Sequence, residues 1–84
     1  GLVLRELSPE EKSRMDVEGG LIVERASGPA AKAGIQRGDL ILALNRERIN
    51  SVDQLKSLVK KNDKTIALLI QRNDMRMYVP VSIG

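Results

Sequence analysis

Ser27-Gly28-Pro29-Ala30-Ala31-Lys32-Ala33-Gly34-Ile35-Gln36-Arg37-Gly38-Asp39 joins two apolar runs, and its reading decides the fold. Before it stands Leu21 to Ala26 (LIVERA), and from its last residue runs Asp39 to Leu44 (DLILAL). Both runs read as strands, and the second is so uniformly apolar that both of its faces should be buried. Between them, Ser27-Gly28-Pro29 stops the first strand and starts a brief helix, Pro29 to Ala33, which Gly34 ends. A helix of that length does not stand alone, so packing of its alanine face must hold it. Gly38 supplies the turn into the next strand.

Working outward toward the start, Leu2 to Leu7 (LVLREL) reads as a strand. Ser8-Pro9-Glu10-Glu11 has the pattern of a capping box with proline at the first helical position. It predicts a short helix over Pro9 to Met15, with an excursion lacking any helix as the alternative. Asp16 to Gly20 is a polar loop. Toward the end, Asn45-Arg46 turns into a short extended piece, Glu47 to Ile49. Ser51 to Lys61 (SVDQLKSLVKK) is the strongest helix, with Ser51 as N-cap, Gln54 three residues on, and Asp53, Lys60 and Lys61 suited to the helix dipole. Leu55 and Leu58 share one stripe; Val52, Lys56 and Val59 share the adjacent one. Lys64 to Arg72 and Met75 to Ser82 alternate as strands around an Asn73-Asp74 hairpin turn with positive φ. Pro80 puts the last strand at a sheet edge. The sum is α+β, mainly β: five or six short strands in a partly open barrel, one main helix and one or two short ones.

The chain has 84 residues, enough for a single domain over 1–84. It contains no cysteine, histidine, tryptophan or phenylalanine, and one tyrosine. Disulfides, thiolate metal sites and histidine-activated nucleophiles are thereby excluded within it. No catalytic group, cofactor or metal ion is expected. The core must be aliphatic. Fourteen Lys and Arg against eleven Asp and Glu give a net charge of +3, an ordinary mixed surface. No apolar run reaches the roughly 18 residues of a membrane span. The chain starts at Gly1-Leu2 without an initiator Met or a basic leader, as an excised domain would.

Two charged clusters invite functional readings. Glu10, Glu11, Asp16 and Glu18 fall in one polar segment, and Lys56, Lys60, Lys61 and Lys64 gather near the end of the main helix. Solvated surface is the expectation for both. Asp53 and Asp63 interleave with the lysines, and one aromatic residue offers no stacking platform for single strands, so no nucleic-acid partner is expected. What remains is a geometry suited to binding. If the Val52, Lys56 and Val59 face opens beside the first strand, Leu2-Val3-Leu4 become the edge of a groove to which an extended peptide adds by main-chain hydrogen bonds. An ordinary core helix on a sheet is the alternative that the pattern alone leaves open.

The stretch from Leu21 to Asn45 closely resembles the core of a PDZ domain, whose pattern is a strand, then S-P-A-x-x-A-G-(L/I)-x-x-G-D-x-(I/L), then a strand and a turn. The physics of the match is readable. Ala30 and Ala33 let the short helix sit close to the sheet, Gly34 and Gly38 take tight backbone positions, and Asp39 can bond turn amides. With one strand at the start and a full strand at the end, the order is similar to the circularly permuted PDZ domains of bacterial HtrA-type serine proteases. Arg5 to Ser8, the main helix and the last hairpin most resemble the second, C-terminal PDZ domain of the DegP/DegQ group.

That resemblance implies a non-enzymatic peptide-binding module of a periplasmic protease acting in protein quality control. The trypsin-like catalytic domain would lie elsewhere in the parent. Partners would be unfolded-protein or C-terminal peptide segments and other domains of the protease oligomer. The family holds peptide C-termini with an x-Φ-G-Φ loop. Gly1 and Leu2 match its last two positions, and the first two would precede Gly1. Leu2, Val3 and Leu4 would pair with the peptide. Val52 matches the helix position that meets the residue two before the peptide terminus, and a valine there implies an apolar preference. Lys56 and Val59 match the next groove positions, and Leu2, Leu4 and Val59 would line the terminal pocket. A role mainly in oligomer assembly, or another parent such as a site-2 protease, a tail-specific protease or a secretion component, is the alternative. Asn45-Arg46 departs from the Asn/Asp-Gly that the family usually has there, so a positive φ at Arg46 would be strained.

Overall fold

A computed structural model describes residues 1–62 and 64–82; Asp63, one of the acids read as interleaving the lysines, lies outside the described residues. The elements run in the expected order: β1 (Leu2–Glu6), α1 (Pro9–Met15), β2 (Leu21–Ala26), α2 (Gly28–Lys32), β3 (Leu40–Leu44), β4 (Glu47–Arg48), α3 (Val52–Lys61), β5 (Thr65–Arg72) and β6 (Met75–Ser82). They form one antiparallel sheet ordered β1-β2-β3-β5-β6, with β4 paired to β3. The sheet is not closed: β1 and β6 are its ends, which suits Pro80 and leaves one side of β1 unpaired.

Local chemistry accounts for the elements. The α1 alternatives resolve to a helix. Ser8 Oγ accepts from Glu11 N at 3.2 Å, and Glu11 Oε1 accepts from Ser8 N at 2.9 Å. Arg5 donates to both Glu11 oxygens at 2.7 and 2.8 Å, locking α1 to β1. The hydrogen bonds from Arg5, and then the one from the Ser8 amide, hold the Glu11 carboxyl at about 2, below its ordinary 4.5. Its contribution to stability is therefore complete above pH 4.5 and is lost as pH falls toward 2. Ser51 caps α3 by accepting from Gln54 N at 3.1 Å. The Gln54 side chain reaches past Ser51: it accepts from Asn50 N at 2.9 Å and donates to Arg48 O at 2.7 Å.

The core is aliphatic, as the composition requires. Leu21, Val23, Ile41, Leu44, Ile49, Leu68 and Ile70 are almost completely buried, and Leu55 and Leu58 seat α3 on them. Along β5, Ile66, Leu68 and Ile70 point inward, as their alternation predicts. On β6 only Val79 and Val81 are buried, whereas Met75 at the hairpin tip is exposed. The hairpin also differs in detail: Asn73 has φ 57° but Asp74 does not take a positive φ.

The turn after β3 takes the left-handed conformation at both central residues, Asn45 with φ 48° and Arg46 with φ 81°. Asn45 is held there from several sides. Its N donates to Ala67 O at 2.9 Å, its Oδ1 accepts from Ala67 N at 2.8 Å, and its Nδ2 donates to Asn62 Oδ1 at 3.3 Å. Arg46 is exposed, with a Cβ that disfavours its φ. Arg46→Gly is expected to raise the unfolding free energy by about 1 kcal/mol, the strain relieved outweighing the extra chain freedom of glycine. Urea denaturation followed by circular dichroism checks this, and a loss of stability would contradict it.

Candidate peptide-binding groove

The free side of β1 faces α3 across a groove of about 390 Å³. Each wall follows from element geometry. On β1, Leu2 and Leu4 alternate toward the groove and are half-buried, while Val3 points away and is 50% exposed. Gly1 engages Ser27, the residue just after β2, with both of its main-chain polar groups: its ammonium donates to Ser27 O at 3.0 Å, and its carbonyl accepts from Ser27 N at 2.8 Å. In an antiparallel ladder the next residue's polar groups point the opposite way, so the N–H and C=O of Leu2 are directed to the open side. Val3 pairs with Arg25 of β2, and the register shift follows between Val3 and Leu4.

On α3, Leu55 and Leu58 face the core, and the adjacent stripe of Val52, Lys56 and Val59 faces the groove. Val52 and Val59 are half-buried against the core; Lys56 is exposed. Of the residues expected at the site, Gly1, Leu2, Leu4, Val52, Lys56 and Val59 all line the groove, and Val3 supplies strand but no lining. The floor comes from Leu55, Ile66, Leu68 and Val81, and Pro29, Ala30 and Lys60 add to the walls. The sequence reading did not name these as site residues. Ile66, Leu68 and Val81 read only as inward-facing strand positions, and Lys60 as a partner of the helix dipole and a member of a solvated lysine cluster.

A trough of this kind can take an apolar side chain in its floor while an extended main chain pairs with β1. A larger cleft, about 620 Å³, opens over the other side of the sheet, lined by Leu42, Ala43 and Leu69 below and by Asp16, Glu18, Arg48 and Arg76 around its rim. Leu69 alternates with the groove-lining Leu68, so the two cavities lie on opposite faces. The rim charges there already engage one another through Arg48 and Glu18 at 3.4 Å.

Outside the groove lining, a polar staple fixes the turn into β3. Asp39, only 2% exposed, accepts from Gln36 N at 2.9 Å and from Arg72 at 2.8 and 2.7 Å. Arg72 also donates to Gly34 O at 2.8 Å. The flanking Gly34 and Gly38 take φ of 103° and 92°, which only glycine adopts without strain.

Among the described residues no group of three or more acidic side chains could hold a metal ion, and no helix is long and apolar enough to cross a membrane. Comparison with known proteins agrees with the geometry. The curated "Probable periplasmic serine endoprotease DegP-like" of Hahella chejuensis is 35% identical over 86 residues, covering 99% of this chain and 18% of that protein. The "Periplasmic serine endoprotease DegP" of Salmonella typhimurium is 30% identical over 71 residues, covering 82% of this chain and 15% of that protein. The chain thus spans less than a fifth of the curated relatives it matches. Among solved structures, the PDZ domain of HtrA3 bound to a phage-derived ligand superposes with a TM-score of 0.86 at 21% identity, covering 98% of this chain and 80% of that one. The serine endoprotease from Yersinia pestis superposes with a TM-score of 0.71 at 31% identity, over 98% of this chain and 29% of that one. The family model described as "PDZ domain" matches residues 22–72, well over half of the chain, and the chain therefore belongs to the PDZ domain family.

Proposed function

We propose that this domain captures extended or C-terminal peptide segments by adding them as a strand to β1, with side chains seated between β1 and α3. The observation that carries the reading is the free side of β1 opposite the Val52–Val59 face of α3, across an apolar floor. Both peptide-facing requirements are met at once: unpaired main-chain groups for affinity, and a pocket for selectivity. Gly1 and Leu2 stand at the carboxylate end, Leu2, Leu4 and Val59 around the terminal side chain, and Val52 and Lys56 beside the residues before it. Affinity should be of micromolar order, as suits a small apolar interface.

The resemblance of the whole chain to DegP-like relatives supports a parent that is a periplasmic HtrA-type serine endopeptidase, in which this module, itself without catalytic machinery, delivers or senses misfolded protein. Its place there as the second, C-terminal PDZ domain is part of the same proposal. Titrating an isotope-labelled sample with a peptide ending in a free-carboxylate valine tests the binding role. Amide shifts concentrated at Leu2 to Leu4 and Val52 to Val59 are expected. If those amides stay still at millimolar peptide, the groove is not a peptide site, and docking on other domains of the oligomer becomes the better account.

A further inference from the structure

Among the described residues, Lys56 and Lys60 are the only charged side chains lining the groove. Both stand on the α3 wall, four residues apart, and so on one stripe of the helix. Neither is ion-paired among the described residues: the ion pairs there all use arginines. No acid among the described residues lines the groove. Asp53 is exposed and outside the lining, while Glu11 and Glu24 are engaged by Arg5 on the β1 side. Among the described residues, an apolar trough thus has one cationic wall and no carboxylate of its own.

The spacing adds a second constraint. Four residues of helix advance about 6 Å along the axis. Two residues of extended peptide advance about 6.6 Å, and their side chains fall on the same side. A strand lying along α3 therefore brings every second side chain past one of the two ammonium groups.

We propose that Lys56 and Lys60 make the groove selective for acidic peptide segments, with an apolar residue in the pocket and Asp or Glu in the residues just before it. This rests on the peptide-binding reading above and names the class of ligand. The lysine stems cover apolar surface while their heads stay in water, so each ion pair is exposed and individually weak. Each is worth at most about fivefold in affinity, and salt screens it.

Three fluorescein-labelled octapeptides separate the possibilities. All end in a free-carboxylate valine, and the three residues before it are all Glu, all Gln or all Lys. Anisotropy titration of the 84-residue chain in about 20 mM salt is expected to rank Glu over Gln over Lys. The Glu-to-Gln affinity ratio should be about three to ten, falling below about two in 1 M salt. In the double variant Lys56→Met, Lys60→Met the ratio should drop to near one. In Lys56→Arg, Lys60→Arg it should persist. Equal binding of the Glu and Gln peptides, or a ratio that survives the methionine double variant, overturns the acidic preference and leaves peptide capture standing. Failure of all three peptides to bind overturns both.

Discussion

Asp39→Ala is expected to lower the unfolding free energy by about 2–3 kcal/mol, the loss of a buried, charge-assisted hydrogen-bond cluster. For a domain of this size the melting midpoint should then fall by about 10–20 °C. The argument starts from burial: at 2% exposure the carboxylate has almost no water, and every one of its bonds is to protein. Burial pushes its carboxyl up, but the hydrogen bonds from Arg72 and from the Gln36 amide, with the charge of Arg72, outweigh burial and leave it below its ordinary 3.8. Alanine would strand the Gln36 N–H, leave Arg72 with only its bond to Gly34 O, and loosen the bend held by Gly34 and Gly38. The sign in pH follows. A depressed carboxyl adds stability above its unfolded value and loses it as pH falls through the folded one, so this share is present above about pH 3.8 and disappears below it. Thermal melts from pH 7 to pH 2.5 should show the parent losing this share on acidification, while Asp39→Ala lacks it throughout. A drop of less than about 1 kcal/mol at neutral pH would mean that the staple is not a principal support of the turn.

Val59→Asp is expected to weaken binding of a valine-terminated peptide by at least about thirtyfold, equivalent to roughly 2 kcal/mol. Val59 is half-buried between the core and the groove. A carboxylate there must be desolvated to admit an apolar side chain, and under the proposed register it also repels the peptide's terminal carboxylate. The repulsive part is separable: an amide-capped peptide should lose less on going from parent to variant than the free acid does. Val59→Thr, nearly the same shape with a neutral hydroxyl, should fall between the two. Because Leu55 and Leu58 carry the packing of α3, the variant should keep a native amide spectrum. Affinity within about threefold of the parent, in a folded variant, would place the terminal side chain elsewhere.

Much of this arrangement is legible from local pattern. Ser8 with Glu11, and Ser51 with Gln54, mark helix starts because capping is a short-range bond that sequence spacing encodes directly. Ile66, Leu68 and Ile70 announce an inward face by alternation alone. The two stripes of α3 sort Leu55 and Leu58 from Val52, Lys56 and Val59 by the helical period alone. Positive φ at Arg46 was foreseeable because its position in the turn belongs to glycine in the family. By contrast, Asp74 was expected to share the left-handed conformation of Asn73 and does not, since neighbouring strands, not the dipeptide, set the turn.

The site divides along the same line. By itself the sequence determined the elements, the aliphatic core, the absence of a histidine- or cysteine-based chemistry, and one groove wall on α3. Tertiary structure alone decided that the free side of β1 lies opposite that wall, that Ile66, Leu68 and Val81 form a floor beneath it, and that Lys60 belongs to the groove. It likewise decided that Arg72 is the partner of Asp39, 33 residues away. The physical reason is range. Capping, periodicity and turn preference act within a few residues, whereas an open strand edge, a pocket floor and a long-range ion pair exist only once distant segments of the chain are packed together.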